Sequence, residues 1–183
     1  MNTRLLALAS VPAAILFSGI ANAVMVDLNA VGNATANSAT NPVSVFFTAG
    51  MYEIVPISKA DGGAYTAWSY EKDLANSWVN RYSYSSSEFG AVHVGGTGPG
   101  QLTYVDAQTA FDNAISSTFT LASDGYVDFF LYDYYPTAAD PQYNDNLKGM
   151  SLSILPVPIP ASILLLLSGI VGLGIVRKTR SPA

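Results

Sequence analysis

The stretch 126–154, which reads YVDFFLYDYYPTAADPQYNDNLKGMSLSI, best indicates the fold class of this chain. Residues 126–133 are dominated by aromatic and aliphatic side chains of the kind enriched in strands. Residues 150–154 alternate between apolar and polar with a period of two, as in a half-buried strand. The segment between them is rich in Pro, Asp and Asn, which favour turns. Two strands joined by a polar loop are therefore predicted.

Similar strand-like runs occur upstream, separated by glycine-containing turns. They lie at residues 24–28, 43–47, 51–57, 101–105 and 115–121. Helical signals are weak: residues 71–80 predict a helical turn, and residues 107–114 predict a loop or a short helix. Many short strands with turn signals and little helix predict a mainly β fold, a single antiparallel β-sandwich or jelly-roll-like domain.

The predicted body of the protein, residues 24–155, is strongly acidic. It holds all thirteen acidic residues but only four of the eight basic ones, Lys59, Lys72, Arg81 and Lys148, so its net charge is about −9. This disfavours nucleic acid and anionic membrane as partners, since both require a basic surface.

The chain contains no cysteine and one histidine, His93. The absence of cysteine excludes disulfides, thiol nucleophiles and cysteine-rich zinc sites. A single histidine leaves little for a Ser–His–Asp triad or a multi-histidine metal site. We expect His93 to be a solvent-facing strand residue, and we expect the protein not to be an enzyme.

Residues 1–23 have the features of a secretory signal peptide. Arg4 gives the positive start, residues 5–17 are apolar, and Ala21-Asn22-Ala23 forms an A-x-A cleavage site. Cleavage before Val24 is predicted.

Residues 156–183 contain three features in a fixed order. The proline-rich motif Val157-Pro158-Ile159-Pro160 predicts an extended segment. Residues 161–176 carry no charge and predict a membrane helix of roughly 24 Å, short against a bilayer core of about 30 Å. Arg177, Lys178 and Arg180 follow and would hold that end on the cytoplasmic side. On these physical grounds alone, an ordinary single-span anchor is an equal alternative.

This order of motif, apolar helix and basic tail resembles a PEP-CTERM sorting signal of the VPLPA type. The resemblance implies recognition of residues 157–160 by exosortase, a membrane-embedded protease, and removal or exchange of the tail. Ile159 stands where the namesake motif has Glu. The resemblance also implies export from a Gram-negative bacterium, transient anchoring in the inner membrane, and final location at the cell surface or in an exopolysaccharide matrix.

The polar loop offers candidate metal ligands. Asp133, Asp145 and Asn146 supply oxygen atoms of the kind that Ca²⁺ prefers, and Asp140 and Asn144 lie nearby. The alternative is a turn that uses Asp and Asn for their conformational preferences. The segment 126–154 is similar to part of the PA-IL-type calcium-dependent lectins, which implies metal binding by Asp133, Asp145 and Asn146. Leu147 and Lys148 depart from the small residues expected there.

Aromatic residues are frequent in and around the same region. Tyr134, Tyr135 and Tyr143 are candidate glycan contacts, because sugar rings pack their C–H faces on exposed aromatic rings. A wider set includes Trp68, Trp78, Tyr82, Tyr84 and Tyr126. The alternative is that these are ordinary core aromatics of a β fold.

The sequence therefore favours a non-catalytic exported surface or matrix protein that binds exopolysaccharide. One alternative is a glycan-active enzyme with paired carboxylates, for example Asp128 with Glu71 or Glu88. Another is a purely structural coat or adhesion protein without a ligand.

Overall fold

A computed structural model of the protein describes residues 23–35, 41–72, 74–96, 102–133 and 143–158. In these ranges the chain is mainly β and forms two largely antiparallel sheets. A 3-10 helix at Lys59–Asp61 and a short helix, α1, at Ala107–Asp112 lie between strands. The strands are β1 Val24–Asn29, β2 Ala34–Thr35, β3 Val43–Phe47, β4 Gly50–Ile57, β5 Trp68–Ser69, β6 Trp78–Val79, β7 Tyr82–Ser86, β8 Val92–Val94, β9 Ser117–Leu121, β10 Gly125–Tyr132 and β11 Leu147–Pro156.

The first sheet is built around β11. β1 pairs with one edge of β11, from Val24 opposite Ile154 to Asn29 opposite Gly149, and β4 pairs with the other edge. β9 extends the sheet beyond β4. β5 pairs with the first two residues of β11, and β6 pairs with β5. The strand that comes last in the described chain therefore lies at the centre of this sheet.

The second sheet is built around β10. β3 lies along one edge of β10 and β7 along the other, both antiparallel, and β8 extends the sheet beyond β7. β2 adds a short parallel pairing with Leu131 and Tyr132. The end of β10 is thereby joined to the loop that follows β1.

Apolar side chains from both sheets form one core, because alternate residues of a strand point to the same side. Tyr52 and Phe119 stack with ring centroids 5.1 Å apart, and Phe47 meets both rings edge-on. In a chain without disulfides, this burial is the main term that stabilises the fold. Fully buried members include Leu28, Ile54, Leu152, Val127 and Phe129.

Most predicted strands are confirmed, but two local predictions are wrong. Within residues 102–105, Tyr104 forms only an isolated bridge with Trp78, and no neighbouring strand continues the ladder. The helical turn predicted at residues 71–80 is replaced, in its described part, by turns and by β6. Asn76 there has a left-handed φ of 60°, which a helix does not accept.

Candidate functional site

A buried ion pair lies where β10 ends. Asp133 directly follows β10, and its backbone N–H donates to the Thr35 carbonyl at 3.0 Å. Its Oδ1 lies 4.0 Å from Nη2 of Arg81, the residue just before β7. Both side chains are buried, so the two charges balance each other away from water.

Trp68 contacts the arginine of this pair. The guanidinium carbon of Arg81 lies 4.9 Å from the centre of the Trp68 ring, and the indole N–H donates to the Arg81 carbonyl at 3.0 Å. Burial lowers the pKa of Arg81, and the negative charge of Asp133 opposes that shift. Because a guanidinium stays protonated in proteins, Arg81 is a permanent buried cation.

Several buried side-chain polar atoms, two of them on Arg81 itself, have no hydrogen-bond partner in the described structure. They are Nε and Nη1 of Arg81, both side-chain polar atoms of Asn80, and Oδ1 of Asn146. Each buried, unpaired polar group costs about 1–3 kcal/mol of stability.

The three residues predicted to bind Ca²⁺ contact different parts of the protein. Asp133 faces Arg81. Asn146 donates from Nδ2 to the Ala30 carbonyl at 2.9 Å, and the Asp145 carbonyl accepts from the Lys72 N–H at 2.8 Å. Among the described residues, no three Asp, Glu or His side chains cluster closely enough to hold a metal ion. The Ca²⁺ site stays a prediction, and a guanidinium already balances the Asp133 charge.

Arg81 is the site residue that the sequence reasoning missed. It counted there only toward the net charge, yet it is buried between two core residues, Val79 and Tyr82. A basic residue flanked by core positions in a strand-like run is the signal that would have identified it, since such a residue requires a buried counter-charge.

Two of the three candidate glycan contacts, Tyr134 and Tyr135, lie outside the described residues. The third, Tyr143, is half-buried and packs against the apolar core. It has a left-handed φ of 57° at the start of the turn leading into β11. A glycan contact by any of the three stays a prediction.

The wider aromatic set divides into core and surface residues. Trp68, Tyr82 and Tyr84 are buried, which confirms the core alternative for these three. Trp78 is only partly buried, and Tyr126 is 62% exposed. Of these five, only Tyr126 is mostly exposed, and Trp78 is exposed in part.

The carboxylates considered for catalysis have other partners or lie in loops. Glu88 accepts hydrogen bonds from the Ser123 hydroxyl and from the backbone N–H groups of Ala122 and Ser123, and these bonds lower its pKa. A general acid of a glycosidase requires the opposite shift. Asp128 accepts from the Ser44 hydroxyl, and Glu71 is exposed. The paired-carboxylate mechanism stays a prediction.

His93 is exposed on β8, as expected. Its Nδ1 lies 2.7 Å from the Ser83 hydroxyl, and its ring centroid lies 4.4 Å from that of Tyr132. Partial burial lowers its pKa. Because Ser83 and His93 are directly opposite residues in the β7–β8 ladder, an ordinary cross-strand contact accounts for the hydrogen bond.

The first two residues of the predicted sorting motif follow β11 directly. Val157 and Pro158 are exposed, and the Val157 N–H donates to the Met51 carbonyl at 2.8 Å. The rest of the predicted signal lies outside the described residues: Ile159, Pro160, the apolar segment 161–176, Arg177, Lys178 and Arg180. The signal peptide, up to residue 22, lies outside them as well.

Within the ranges that the structure describes, no helix combines the length and apolar character needed to span a bilayer. Comparison of the chain with family models, with curated proteins and with solved structures found no match. Its function therefore has to be argued from its own residues.

Proposed function

We propose that this chain is an exported surface or extracellular-matrix protein, sorted by an exosortase, whose non-catalytic β-sandwich body binds exopolysaccharide. Export is supported by the signal-peptide pattern of residues 1–23. Sorting is supported by the resemblance of residues 156–183 to the PEP-CTERM signal. In this proposal the apolar segment anchors the chain transiently in the inner membrane until the tail is processed.

The observation that carries the proposal is the boundary between the folded body and the motif. β11 ends at Pro156, and the motif begins with the exposed Val157 and Pro158. A processing enzyme requires an extended, accessible segment, and prolines favour such a segment because they fix φ and lack a backbone donor. A motif that starts where the last strand ends can be reached without unfolding the body.

The composition of the body supports a role outside the cell. Its charge of about −9 favours solubility, and its two sheets share a core that requires no disulfide. Solvent-accessible ring surface at Trp78 and Tyr126 provides apolar faces of the kind on which sugar rings pack.

The sorting step is tested by the mass of the mature protein in its host, with and without the exosortase. We expect a chain that begins at Val24 and lacks the apolar segment in the parent strain, and a heavier, membrane-bound form in the deletion strain. Replacing residues 157–160 by alanine should reproduce the deletion result. Pro182→Ala, a proline change beyond the motif, is the matched control and should leave processing intact.

The basic tail provides a second test of the same step. Neutralising Arg177, Lys178 and Arg180 should leave the chain unprocessed, because these charges set the orientation of the helix. Thr179→Ala serves as the control within the tail. If the mature mass is the same in both strains, residues 156–183 are a plain anchor and the sorting proposal is wrong.

A further inference from the structure

A cleft with a volume of about 170 Å³ lies beside the first sheet, and neither Arg81 nor Asp133 is among its lining residues. It is formed by segments that are distant in sequence: the 3-10 helix, the loop before β5, β6, the start of α1, and β11. The residues that line it are Lys59, Tyr65, Thr66, Ala67, Trp78, Ala107 and Lys148. Of these, only Trp78 was among the aromatic residues considered as glycan contacts from the sequence.

Two aromatic rings line the cleft, and one is held rigidly. The hydroxyl of Tyr65 accepts a hydrogen bond from Nδ2 of Asn29 at 3.1 Å. The Tyr65 ring lies against the backbone of Gly149, where an added Cβ would come within 2.7 Å of the ring. Trp78 is paired on both sides, with Ser69 in the sheet and with Tyr104 in the isolated bridge. The Tyr65 ring is therefore preorganised for a ligand with an apolar face, and the backbone that carries Trp78 is fixed on both sides.

Two unpaired cations line the same cleft. Lys59 and Lys148 are exposed, and within the described part of the chain neither takes part in an ion pair. The body has only four basic residues, of which Arg81 is buried, so two of its three exposed lysines meet at one cleft. In a body with a net charge of about −9, the charged residues that line this cleft are both lysines.

The backbone of Lys148 provides an independent indication of function. Lys148 has a φ of 66°, in the left-handed region that disfavours residues with a Cβ. Its neighbours hold it there: it pairs with Trp68, and its carbonyl accepts from the Ala30 N–H at 2.9 Å. Strained residues of this kind are concentrated at ligand sites, because the surrounding fold fixes the side chain where a ligand requires it.

The volume of the cleft limits the size of the ligand. An engineered cavity of about 150 Å³ takes up one benzene ring, so about 170 Å³ accommodates one six-membered ring. Aromatic faces suit the C–H face of a pyranose, and two ammonium groups suit a carboxylate attached to it. The aliphatic stems of the lysines complete the apolar walls while their charged ends stay in water.

We infer that this cleft binds a uronic acid residue of an acidic polysaccharide. The inference rests on the proposed function and specifies it: Trp78 and Tyr65 contact the sugar ring, and Lys59 and Lys148 contact the carboxylate. Because the remaining surface is acidic, a polyuronate binds through this local site rather than through long-range attraction. Added salt should weaken the contact by screening the lysines.

Calorimetric titration of the mature protein from its host tests the inference, with tetragalacturonate as the probe. The matched ligand is the same tetramer with its carboxyl groups reduced to alcohols. We expect the acidic tetramer to bind and the reduced one to bind about tenfold more weakly. The double variant Lys59→Gln, Lys148→Gln should lose about tenfold in affinity for the acidic tetramer and little for the reduced one.

Control variants separate the cleft from the remaining surface. Lys72→Gln removes the third exposed lysine and should change the affinity less than about twofold. Trp78→Ala should weaken both ligands about tenfold or more, whereas Trp78→Phe keeps a ring and should lose less. Tyr126→Ala removes an exposed ring outside the cleft and should have no effect. Thermal melts of all variants establish that each is folded.

The outcomes distinguish this inference from the proposed function. Tetragalacturonate binding that is insensitive to the lysine and Trp78 changes would overturn the cleft assignment and leave the polysaccharide-binding proposal standing. Equal binding of both tetramers would overturn the preference for a carboxylate. If the native protein binds neither tetramer nor the exopolysaccharide isolated from its host, both the cleft assignment and the binding role are wrong, while exosortase-dependent sorting is unaffected.

Discussion

The buried Arg81 and the exposed Lys148 are two cations with opposite environments, one just before β7 of the second sheet and the other in β11 of the first. Trp68 connects them, since its ring lies under the Arg81 guanidinium and its backbone pairs with Lys148. Arg81 lies out of water and faces a carboxylate, whereas Lys148 is exposed and makes no ion pair with any described residue. A buried charge requires an internal partner, whereas an exposed one remains available to a ligand.

The largest expected loss of stability follows from removing the carboxylate of the buried ion pair. Asp133→Leu leaves the Arg81 guanidinium buried without a counter-charge, and we expect it to lower the free energy of unfolding by about 3–5 kcal/mol. Urea denaturation of the purified protein measures this. The double variant Arg81→Met, Asp133→Leu removes both charges and should be clearly more stable than the single variant. A loss below about 1 kcal/mol for Asp133→Leu would contradict the assignment of a buried pair.

A smaller loss is expected at the glycine next to Lys148. A Cβ at Gly149 would lie 2.1 Å from the Leu28 carbonyl oxygen and 2.7 Å from the Tyr65 ring. Gly149→Ala should therefore destabilise the protein by about 1–3 kcal/mol and disturb the cleft by displacing Tyr65. Gly90→Ala is the matched control, because nothing lies within 4 Å of the added Cβ. Equal stability of the two variants would show that β1 and the Tyr65 ring shift to accommodate the added methyl group at little cost in free energy.

Replacing Lys148 by glycine should raise the stability of the protein. Lys148→Gly relieves the left-handed strain, which stabilises the folded state by about 1–2 kcal/mol. The greater conformational entropy of glycine stabilises the unfolded state by about 0.5–1 kcal/mol and opposes this gain. A net gain in stability of about 1 kcal/mol or less is therefore expected, together with weaker binding of the uronate tetramer. Lys72→Gly, without a positive φ to relieve, should lose stability slightly. A destabilised Lys148→Gly would show that this position is not strained.

The smallest expected effect concerns Ca²⁺. Because Arg81 already balances Asp133, we expect thermal melts in Ca²⁺ and in chelator to coincide. A cation bound at a hundred times its dissociation constant would instead stabilise the protein by about 2.7 kcal/mol. If the melting temperature rises with Ca²⁺ and Asp145→Asn removes the rise, Asp145 is a ligand of the metal, as the sequence predicted together with Asp133 and Asn146.

The strands were predictable because their signals are local. Residues 51–57 alternate between buried and more exposed positions in β4, whereas the alternation of apolar and polar residues at 150–154 becomes a largely buried stretch of β11 in which Ser151 is as buried as Leu152. The pairing was not predictable, because β1 and β11 lie at opposite ends of the body and nothing local encodes their contact. The run at 101–105 also shows that strand-like composition does not make a strand when no partner extends the ladder.

The buried ion pair and the lysine-lined cleft were harder to predict from the sequence than the strands. Asp133 was identified as a candidate ligand from its place at the end of a strand, but its partner Arg81 lies some fifty residues earlier in the chain. Lys148 was noted only as a departure from a lectin-like pattern. Lys59, Tyr65 and Trp78 come from three further segments, so their convergence depends on the topology alone.

The central position of β11 also affects the order in which the protein can acquire its structure. β1, β4 and β5 all use β11 as a partner, so a nascent chain that stops short of residue 147 lacks the strand that joins them. Contacts between such distant segments form slowly and late. In the proposed export, a polypeptide delivered from its N-terminus through a translocation channel would therefore lack a complete first sheet until almost all of its body has emerged. Arrival of residues 147–156 then closes the first sheet.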